Sequence, residues 1–199
     1  MNKSFILLLI LSIAVSITAA SRQKMVVKVI TPEEIWFKST VDENLRRVIS
    51  RNKNIEVMMH DENSSSLPSF PGDYLNFDSL YNWGAELGAR YVVLVEIESH
   101  EIEKKETFSF PFLVHKYQSV GIIVGELRII DIKRGKSLTS EPFQIEQNGP
   151  SVIHTTLNND INDPDLNIAA SKKVKFFKEL EKKLTRHLTK RIKAVTNGR

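Results

Sequence analysis

The pattern of hydrophobic and polar positions along the chain predicts alternating strands and helices. A β-branched apolar run is followed by Thr31 and Pro32, which place an N-cap threonine before a proline at the first helical position. Gly88 follows an apolar helical stripe as a left-handed stop, and Arg134-Gly135 supplies a turn between two strands. The predicted elements are, in chain order, a strand from Lys24 to Ile30, a helix from about Pro32 to Ser50, a strand from Asn54 to Met59, a helix capped by Asp78, strands from Arg90 to Ile97, Val120 to Lys133 and Ser137 to Gln147, and a helix from about Leu166 to Val195.

The order of these elements, β-α-β-α-β-β-β-α, predicts a single α/β (α+β) domain with a mixed sheet of about five strands and helices packed on it. The strand that begins at Tyr91 opens with five successive apolar residues. Such a run is typical of a strand covered on both faces, and therefore central in its sheet. Beyond Ile97 the residues become polar, so we expect the end of this strand to be exposed.

Two later segments are predicted to connect elements. Thr107 to Ser119 has the composition of a short aromatic connection, and Asn148 to Asp165 has the Gly, Pro, Asn and Asp content of a loop. The aromatic residues of the first segment are Phe108, Phe110, Phe112 and Tyr117.

Charge is distributed unevenly, although the total is only +4. From Ser171 to Arg199 eleven basic residues accompany two acidic ones, which gives +9, whereas Ser21 to Ala170 holds sixteen basic and twenty-two acidic residues, which gives −6. Apolar residues recur at three- and four-residue steps in the basic stretch. Residues 166–199 are therefore predicted to form a basic amphipathic helix, packed on an α/β domain of residues 21–165.

The first twenty residues predict export. Lys3 precedes an apolar run from Phe5 to Val15, and small residues follow up to Ala20, so residues 1–20 are interpreted as a secretory signal peptide. An uncleaved membrane anchor is the alternative, because the run is only somewhat shorter than the roughly 20 residues of a spanning helix. We expect an extracytoplasmic protein, with the periplasm as the favoured compartment. The chain has no cysteine, which excludes disulfides, thiolate metal sites and an acylated cysteine anchor.

No residue pattern predicts catalysis, a metal or a cofactor. The five histidines are scattered without the spacing of a zinc site, and the sequence has no nucleophile elbow or phosphate-binding glycine loop. The pairs Glu96/Glu98 and Glu101/Glu103 each lie on one predicted strand face and would supply the acid and base of an exported hydrolase. A solvated strand face explains them more simply. We therefore expect no enzyme, no catalytic residue, no metal ligand and no cofactor.

The stretch from Asp78 to Phe143 combines several motifs. Leu87-Gly88-Ala89-Arg90-Tyr91 leads into the apolar strand, and Gly125 to Lys136 reads GELRIIDIKRGK. This combination resembles a bacterial envelope family that includes the curli secretion-channel subunit, with related domains in the Tol-Pal translocation protein and in outer-membrane activators of penicillin-binding proteins. The chain lacks a lipobox cysteine, and its aromatic connection is too short for membrane-inserting hairpins, so a pore is disfavoured. The resemblance implies a non-enzymatic domain that binds envelope proteins or copies of itself.

The sequence thus predicts a binding or scaffolding protein for envelope assembly or secretion. An alternative attaches the basic helix to an anionic membrane surface through Phe176 and Phe177. The positive charge of the helix is compatible with nucleic-acid binding. The expected extracytoplasmic location and the lack of base-stacking residues on the basic face argue against it, so we expect no nucleic-acid partner. For the aromatic residues and for the helix, packing on the sheet is the competing structural explanation. The predicted partner-binding residues are Phe108, Phe110, Phe112, Tyr117, Lys172, Lys175, Phe176, Lys182 and Lys183.

Overall fold

Strands and helices form in the predicted order, which confirms the α/β (α+β) fold class. The computed structural model describes residues 22–32, 38–58, 68–110, 114–155 and 168–197. The predicted signal segment, residues 1–20, lies outside the described residues. The elements are β1 (Gln23–Ile30), α1 (Lys38–Ile49), β2 (Ile55–Met58), α2 (Phe77–Glu86), β3 (Tyr91–Phe110), β4 (Val114–Asp131), β5 (Lys136–Thr155) and α3 (Ala170–Asn197).

The strands join one mixed sheet in the order β2-β1-β3-β4-β5. β1 runs parallel to both β2 and β3, because α1 and α2 lie in the connections that return the chain across the sheet. β3, β4 and β5 pair antiparallel as successive hairpins. The apolar strand that begins at Tyr91 is the central one, as its uninterrupted apolar run predicts.

Helices cover both faces of the sheet. α1 and α3 lie on one face, where Leu45 and Leu184 share a buried cluster with Val93 of β3. α2 lies on the other face, where Leu80 packs with Val92. Fully burying a side chain such as Val or Leu contributes about 1.5 to 3 kcal/mol. Neighbouring residues of β3 therefore serve opposite cores, which explains why the strand has no polar alternation.

Two glycines position α2 against the sheet. A Cβ atom on Gly84 would lie 2.4 Å from Val92 Cγ2, so only glycine lets the helix approach this closely. Gly88 has a φ of 65°, a left-handed conformation that costs little without a Cβ atom, and it ends the helix. The helix end at Gly88 is the one that the sequence predicts. The start differs, because Asn76 is the N-cap and accepts a hydrogen bond from the Asp78 N–H at 2.8 Å.

Buried Asp131 ties the end of β4 to the chain that enters β3. Its side chain is 1% exposed. It accepts hydrogen bonds from Arg90 Nη2 at 3.0 Å and from the Arg134 N–H at 3.0 Å. A buried carboxylate persists only when it is paired and hydrogen-bonded in this way. These residues belong to the motifs that carry the family resemblance, and in this chain they stabilise the fold.

The three late strands are much longer than predicted. The interpretation of Thr107 to Ser119 as a connection is wrong, because β3 continues to Phe110 and β4 begins at Val114. The predicted loop from Asn148 to Asp165 is likewise strand as far as Thr155. Backbone amides pair along the hairpins whatever their side chains are, and exposure on both faces removes the polar alternation that marks a half-buried strand.

We call the outer ends of these three strands, residues 103–110, 114–120 and 148–155, the β-arm. Eight strand residues span roughly 26 Å at about 3.3 Å per residue. The register shifts between Glu106 and Phe108 of β3, and between Gln118 and Val120 where β4 meets β5. Such bulges increase the local twist of a ribbon. The β-arm contains the exposed strand end that the polar pattern after Ile97 predicts.

Candidate partner-binding surfaces

Two exposed apolar side chains, Phe108 and Ile153, flank Lys116 on one face of the β-arm, and we call this pair the apolar row. Phe108 of β3 pairs with Lys116 of β4, which pairs with Ile153 of β5, so the three side chains are neighbours at about 5 Å per step. Phe108 is 55% exposed and Ile153 is 65% exposed. Phe108 and Ile153 therefore lie about 10 Å apart on either side of the aliphatic stem of Lys116, and together these side chains offer a contact surface to another protein. Sequence reasoning identifies Phe108 but misses Ile153, because Ile153 lies in a segment that reads as a loop.

The opposite face of the β-arm carries a polar and aromatic cluster. His115 Nδ1 lies 2.8 Å from Glu106 Oε1 and 3.1 Å from Ser109 Oγ. Hydrogen bonds from these two side chains lower the pKa of the Glu106 carboxyl. The Tyr117 ring stacks on His115 with centroids 6.1 Å apart, and Lys104 Nζ lies 5.0 Å from its centroid. Tyr117 is thus only partly exposed and already held by its neighbours.

Two further aromatic residues from the predicted set cannot be placed on either face. The side chain of Phe110 and all of Phe112 lie outside the described residues. Their role in partner binding stays a prediction.

Phe176, in the second turn of α3, packs against the sheet at the base of the β-arm. Its ring lies over Gly121 and Gly149, where added Cβ atoms would come within 2.7 Å and 3.0 Å of it. Phe176 is 4% exposed. Beside it, the Phe177 ring lies 5.3 Å from the His100 ring, and burial lowers the pKa of His100. The placement of Phe176 among partner-binding residues is therefore corrected, because the sheet of the same chain already covers its ring.

The apolar stripe of α3 continues along the sheet beyond Phe176. Arg191 forms a bidentate ion pair with Glu141 of the edge strand β5, with Arg191 Nε 2.6 Å from Glu141 Oε1. The hydrogen bonds from Arg191 lower the pKa of the Glu141 carboxyl. Lys183 Nζ donates to the carbonyl oxygen of Glu146 at 2.5 Å. These contacts hold α3 along β5. The buried stripe consists of Leu180, Leu184, Leu188 and Ile192, each at most 1% exposed.

The predicted lysines do not form one cluster. Lys172 and Lys175 line a depression of about 370 Å³ beside Gly149-Pro150, at the base of the β-arm. Lys183 contacts the backbone of β5, whereas Lys182 lies on another side of α3, between α3 and α1. The structure thus separates them into three places.

A trough of about 860 Å³ lies between the outer surfaces of α1 and α3, and we call it the helical trough. Arg47 of α1 and Arg51, which lies two residues after the end of α1, form one rim. Sequence reasoning identifies Lys182 alone among its cations, although the four-residue steps place several on one helix face. The cations on the α3 rim are Lys178, Lys182, Arg186, Lys190 and Lys193.

Glu181 is the carboxylate that lines the helical trough. It is 7% exposed and accepts a hydrogen bond from Asn44 Nδ2 at 2.6 Å. Arg47 Nη2 donates to Asn44 Oδ1 at 2.5 Å, which extends the chain of hydrogen bonds to the α1 rim. Burial raises the pKa of the Glu181 carboxyl, and the Asn44 hydrogen bond and the charge of Lys178 oppose that rise.

The first predicted carboxylate pair does not share a simple strand face. Glu98 lies at a register shift of β3, which interrupts its alternation with Glu96. Glu96 instead accepts a hydrogen bond from the Tyr74 hydroxyl at 3.2 Å, and burial together with the charge of Glu96 raises the pKa of Tyr74. On the neighbouring strand, hydrogen bonds from Arg128, at 2.8 Å from its Nε, lower the pKa of Glu126 to about 2.

In the part of the chain that the structure describes, no three side chains of His, Asp or Glu are placed to hold a metal ion. No helix within those ranges is both long enough and apolar enough to cross a membrane.

No family model matches the chain, and no curated protein matches it significantly. A solved structure of a hypothetical protein from Chlamydia trachomatis is similar, with 14% identity over 89% of this chain and 99% of that chain and a TM-score of 0.50. A minor lipoprotein from Acinetobacter baumannii has 9% identity over 86% of this chain and 91% of its own, with a TM-score of 0.40. The C-terminal domain of LpoB from Salmonella enterica has 14% identity over 63% of this chain and 83% of its own, with a TM-score of 0.36.

The first of these likenesses shows a shared fold, and nothing more follows from identities this low. The lipoprotein character of the protein from Acinetobacter baumannii is a property of that protein and is not transferred to this chain. The specific resemblance to the curli secretion-channel subunit stays a prediction.

Proposed function

We propose that this chain is a non-enzymatic extracytoplasmic binding or scaffolding protein that contacts another envelope protein through its β-arm. The observation that carries this proposal is the exposed apolar row of Phe108 and Ile153 at the end of three long paired strands. A three-stranded ribbon depends on a hydrophobic face for its stability in water. A partner that covers the row would remove apolar surface from water and stabilise the ribbon.

The extracytoplasmic location is supported by the predicted signal segment, residues 1–20. The mature protein isolated from its native host is expected to begin at Ser21 or at a neighbouring residue. An intact-mass measurement tests this expectation. A mass that still includes Met1 would contradict cleavage and would favour a retained anchor.

Attachment of α3 to a membrane surface is the weaker alternative. It requires an apolar side chain beside the lysines that is free to enter the bilayer interface. Phe176 does not meet this requirement, because it is 4% exposed and covered by the sheet. Leu180, Leu184, Leu188 and Ile192 are buried in the same way. Val174 is 50% exposed and lies beside Lys173 and Lys175, but it offers the bilayer only one small apolar side chain.

The β-arm is tested by a variant that combines Phe108→Ser with Ile153→Ser. The tagged full chain, expressed in its native host, is expected to lose its co-purifying envelope protein when it carries both substitutions. Its unfolding midpoint is expected to change by no more than about 2 °C, because both side chains are exposed.

Leu75→Ser is the matched control for this variant. Leu75 is 62% exposed and lies just before α2, away from the β-arm. The control is expected to keep the co-purifying protein. Loss of that protein in both variants, or retention in both, would contradict a role of the apolar row.

A further inference from the structure

The helical trough concentrates positive charge, since seven cations and one carboxylate, that of Glu181, line it. Cations on neighbouring positions of the same helices are paired, since Arg46 binds Asp42 and Arg191 binds Glu141. Within the described part of the chain, no ion pair involves the trough cations, among them Arg186 and Lys190. Like charges four residues apart on a helix repel each other. An anion in the trough would relieve that repulsion.

Unpartnered hydroxyl groups lie among these cations. Thr185 and Thr189 line the helical trough one turn of α3 apart and are 7% and 6% exposed. Their hydroxyl oxygens are buried without a hydrogen-bond partner. Buried polar groups in folded proteins nearly always have such a partner. A ligand with acceptor oxygens would supply it once the neighbouring side chains move aside.

The trough is elongated and has partly apolar walls. From Lys178 to Lys193 the axis of α3 advances by roughly 22 Å, and cations four residues apart recur about every 6 Å. The aliphatic stems of the lysines and arginines, together with Val48, form the walls. A flat bilayer would contact the outer rims without reaching Thr185. A second helix with acidic side chains matches both the length and the spacing.

We propose that the helical trough binds an acidic amphipathic helix of another protein. Carboxylates four residues apart on that helix pair with the cations on both rims, and the hydroxyls of Thr185 and Thr189 donate to them. The helix presents apolar side chains to the walls. Glu181 lies at one end of the trough beside Asn44, so the acidic helix passes mainly along the segment from Lys182 to Lys193. This site is separate from the β-arm and does not depend on the function proposed for it.

The test uses the purified mature chain and a labelled synthetic helix of about 20 residues with glutamate at every fourth position. Fluorescence anisotropy is measured at about 50 mM and about 300 mM salt, because screening weakens exposed charge pairs. Arg186→Gln combined with Lys190→Gln is expected to weaken binding by about tenfold or more at the lower salt. Thr185→Val combined with Thr189→Val is expected to weaken it by about threefold or more, through loss of hydrogen bonds rather than charge.

The matched control combines Lys172→Gln with Lys175→Gln. It removes the same charge from the same helix, outside the helical trough. Its affinity is expected to change by less than about twofold if the trough is the site. Unfolding midpoints of all three variants establish that each is folded.

Three results would overturn the proposal. One is equal loss of binding in the trough variant and the control, which would indicate non-specific attraction to α3. Another is absence of peptide binding to the unmodified chain. The third is that phosphatidylglycerol vesicles sediment the unmodified chain, and not the Arg186/Lys190 variant, while the peptide fails to compete, which would assign the trough to a lipid surface.

Discussion

Replacing Leu184 by alanine should destabilise the protein strongly, because α3 belongs to its main core. Leu184 is 0% exposed and lies in the cluster that contains Val93 and Leu45. The substitution removes about three methylene equivalents, which are worth about 0.8 kcal/mol each. The cavity left behind adds a further term and brings the loss to about 3 to 4 kcal/mol. For a chain of this size the unfolding midpoint should fall by about 6 to 16 °C.

Thermal unfolding of the mature protein, followed by circular dichroism and calorimetry, measures this change. Val174→Ala on the same helix is the matched control, because Val174 is 50% exposed. Its midpoint is expected to stay within about 2 °C of the unmodified chain. Equally small shifts for both variants would refute the reasoning. The helix would then not be docked in solution, and its apolar stripe would be available to a membrane.

Further predictions concern carboxyl groups and one glycine, all measured as unfolding midpoints. Arg128 holds the pKa of Glu126 at about 2. The ionised carboxylate therefore stabilises the fold fully above about pH 4.5, and this contribution is lost as the pH falls from about 4.5 through about 2. Glu126→Gln should therefore cost about 1 kcal/mol at pH 7, after allowance for solvent screening, and almost nothing at pH 2; a cost independent of pH would contradict the ion pair. Burial raises the pKa of Glu181, so stability present below about pH 4.5 is lost as the pH rises through the raised pKa. Glu181→Gln should raise the midpoint at pH 7 but not at pH 4, and a lowered midpoint at pH 7 would contradict this. Gly121→Ala would place a Cβ atom 2.7 Å from Phe176 Cζ, so it should cost about 1 to 3 kcal/mol. Adding Phe176→Leu should recover part of that loss, and an unchanged midpoint for Gly121→Ala would mean that the Phe176 ring does not lie over Gly121.

Local signals in the sequence predicted the order and class of the elements. The apolar run from Tyr91 to Val95 identified the central strand, because a strand buried on both faces has no need of polar residues. Gly88 identified a helix end, because its left-handed conformation favours glycine. Asn76 and Asp78 are both good capping residues, so the pattern did not distinguish the true N-cap of α2 from its neighbour.

The candidate surfaces were only partly predictable. Phe108 stood out as an aromatic residue in a polar segment. Ile153 is 45 positions later in the sequence, and it lies on the same face only because both residues pair with Lys116 of β4. The helical trough exists because α1 and α3 pack side by side on one face of the sheet. No local sequence pattern predicts that Arg51 and Arg186 both line the helical trough.

The sequence by itself determined the elements, their order, the basic amphipathic character of the last helix and the absence of cysteine chemistry. These properties follow from interactions between residues a few positions apart, which periodicity and capping report. Only the tertiary structure decided how far the β-hairpins extend, that Phe176 is covered by Gly121 and Gly149, and which cations share a trough. Those features depend on backbone pairing and packing between distant segments, and the residue types within any one segment do not specify them.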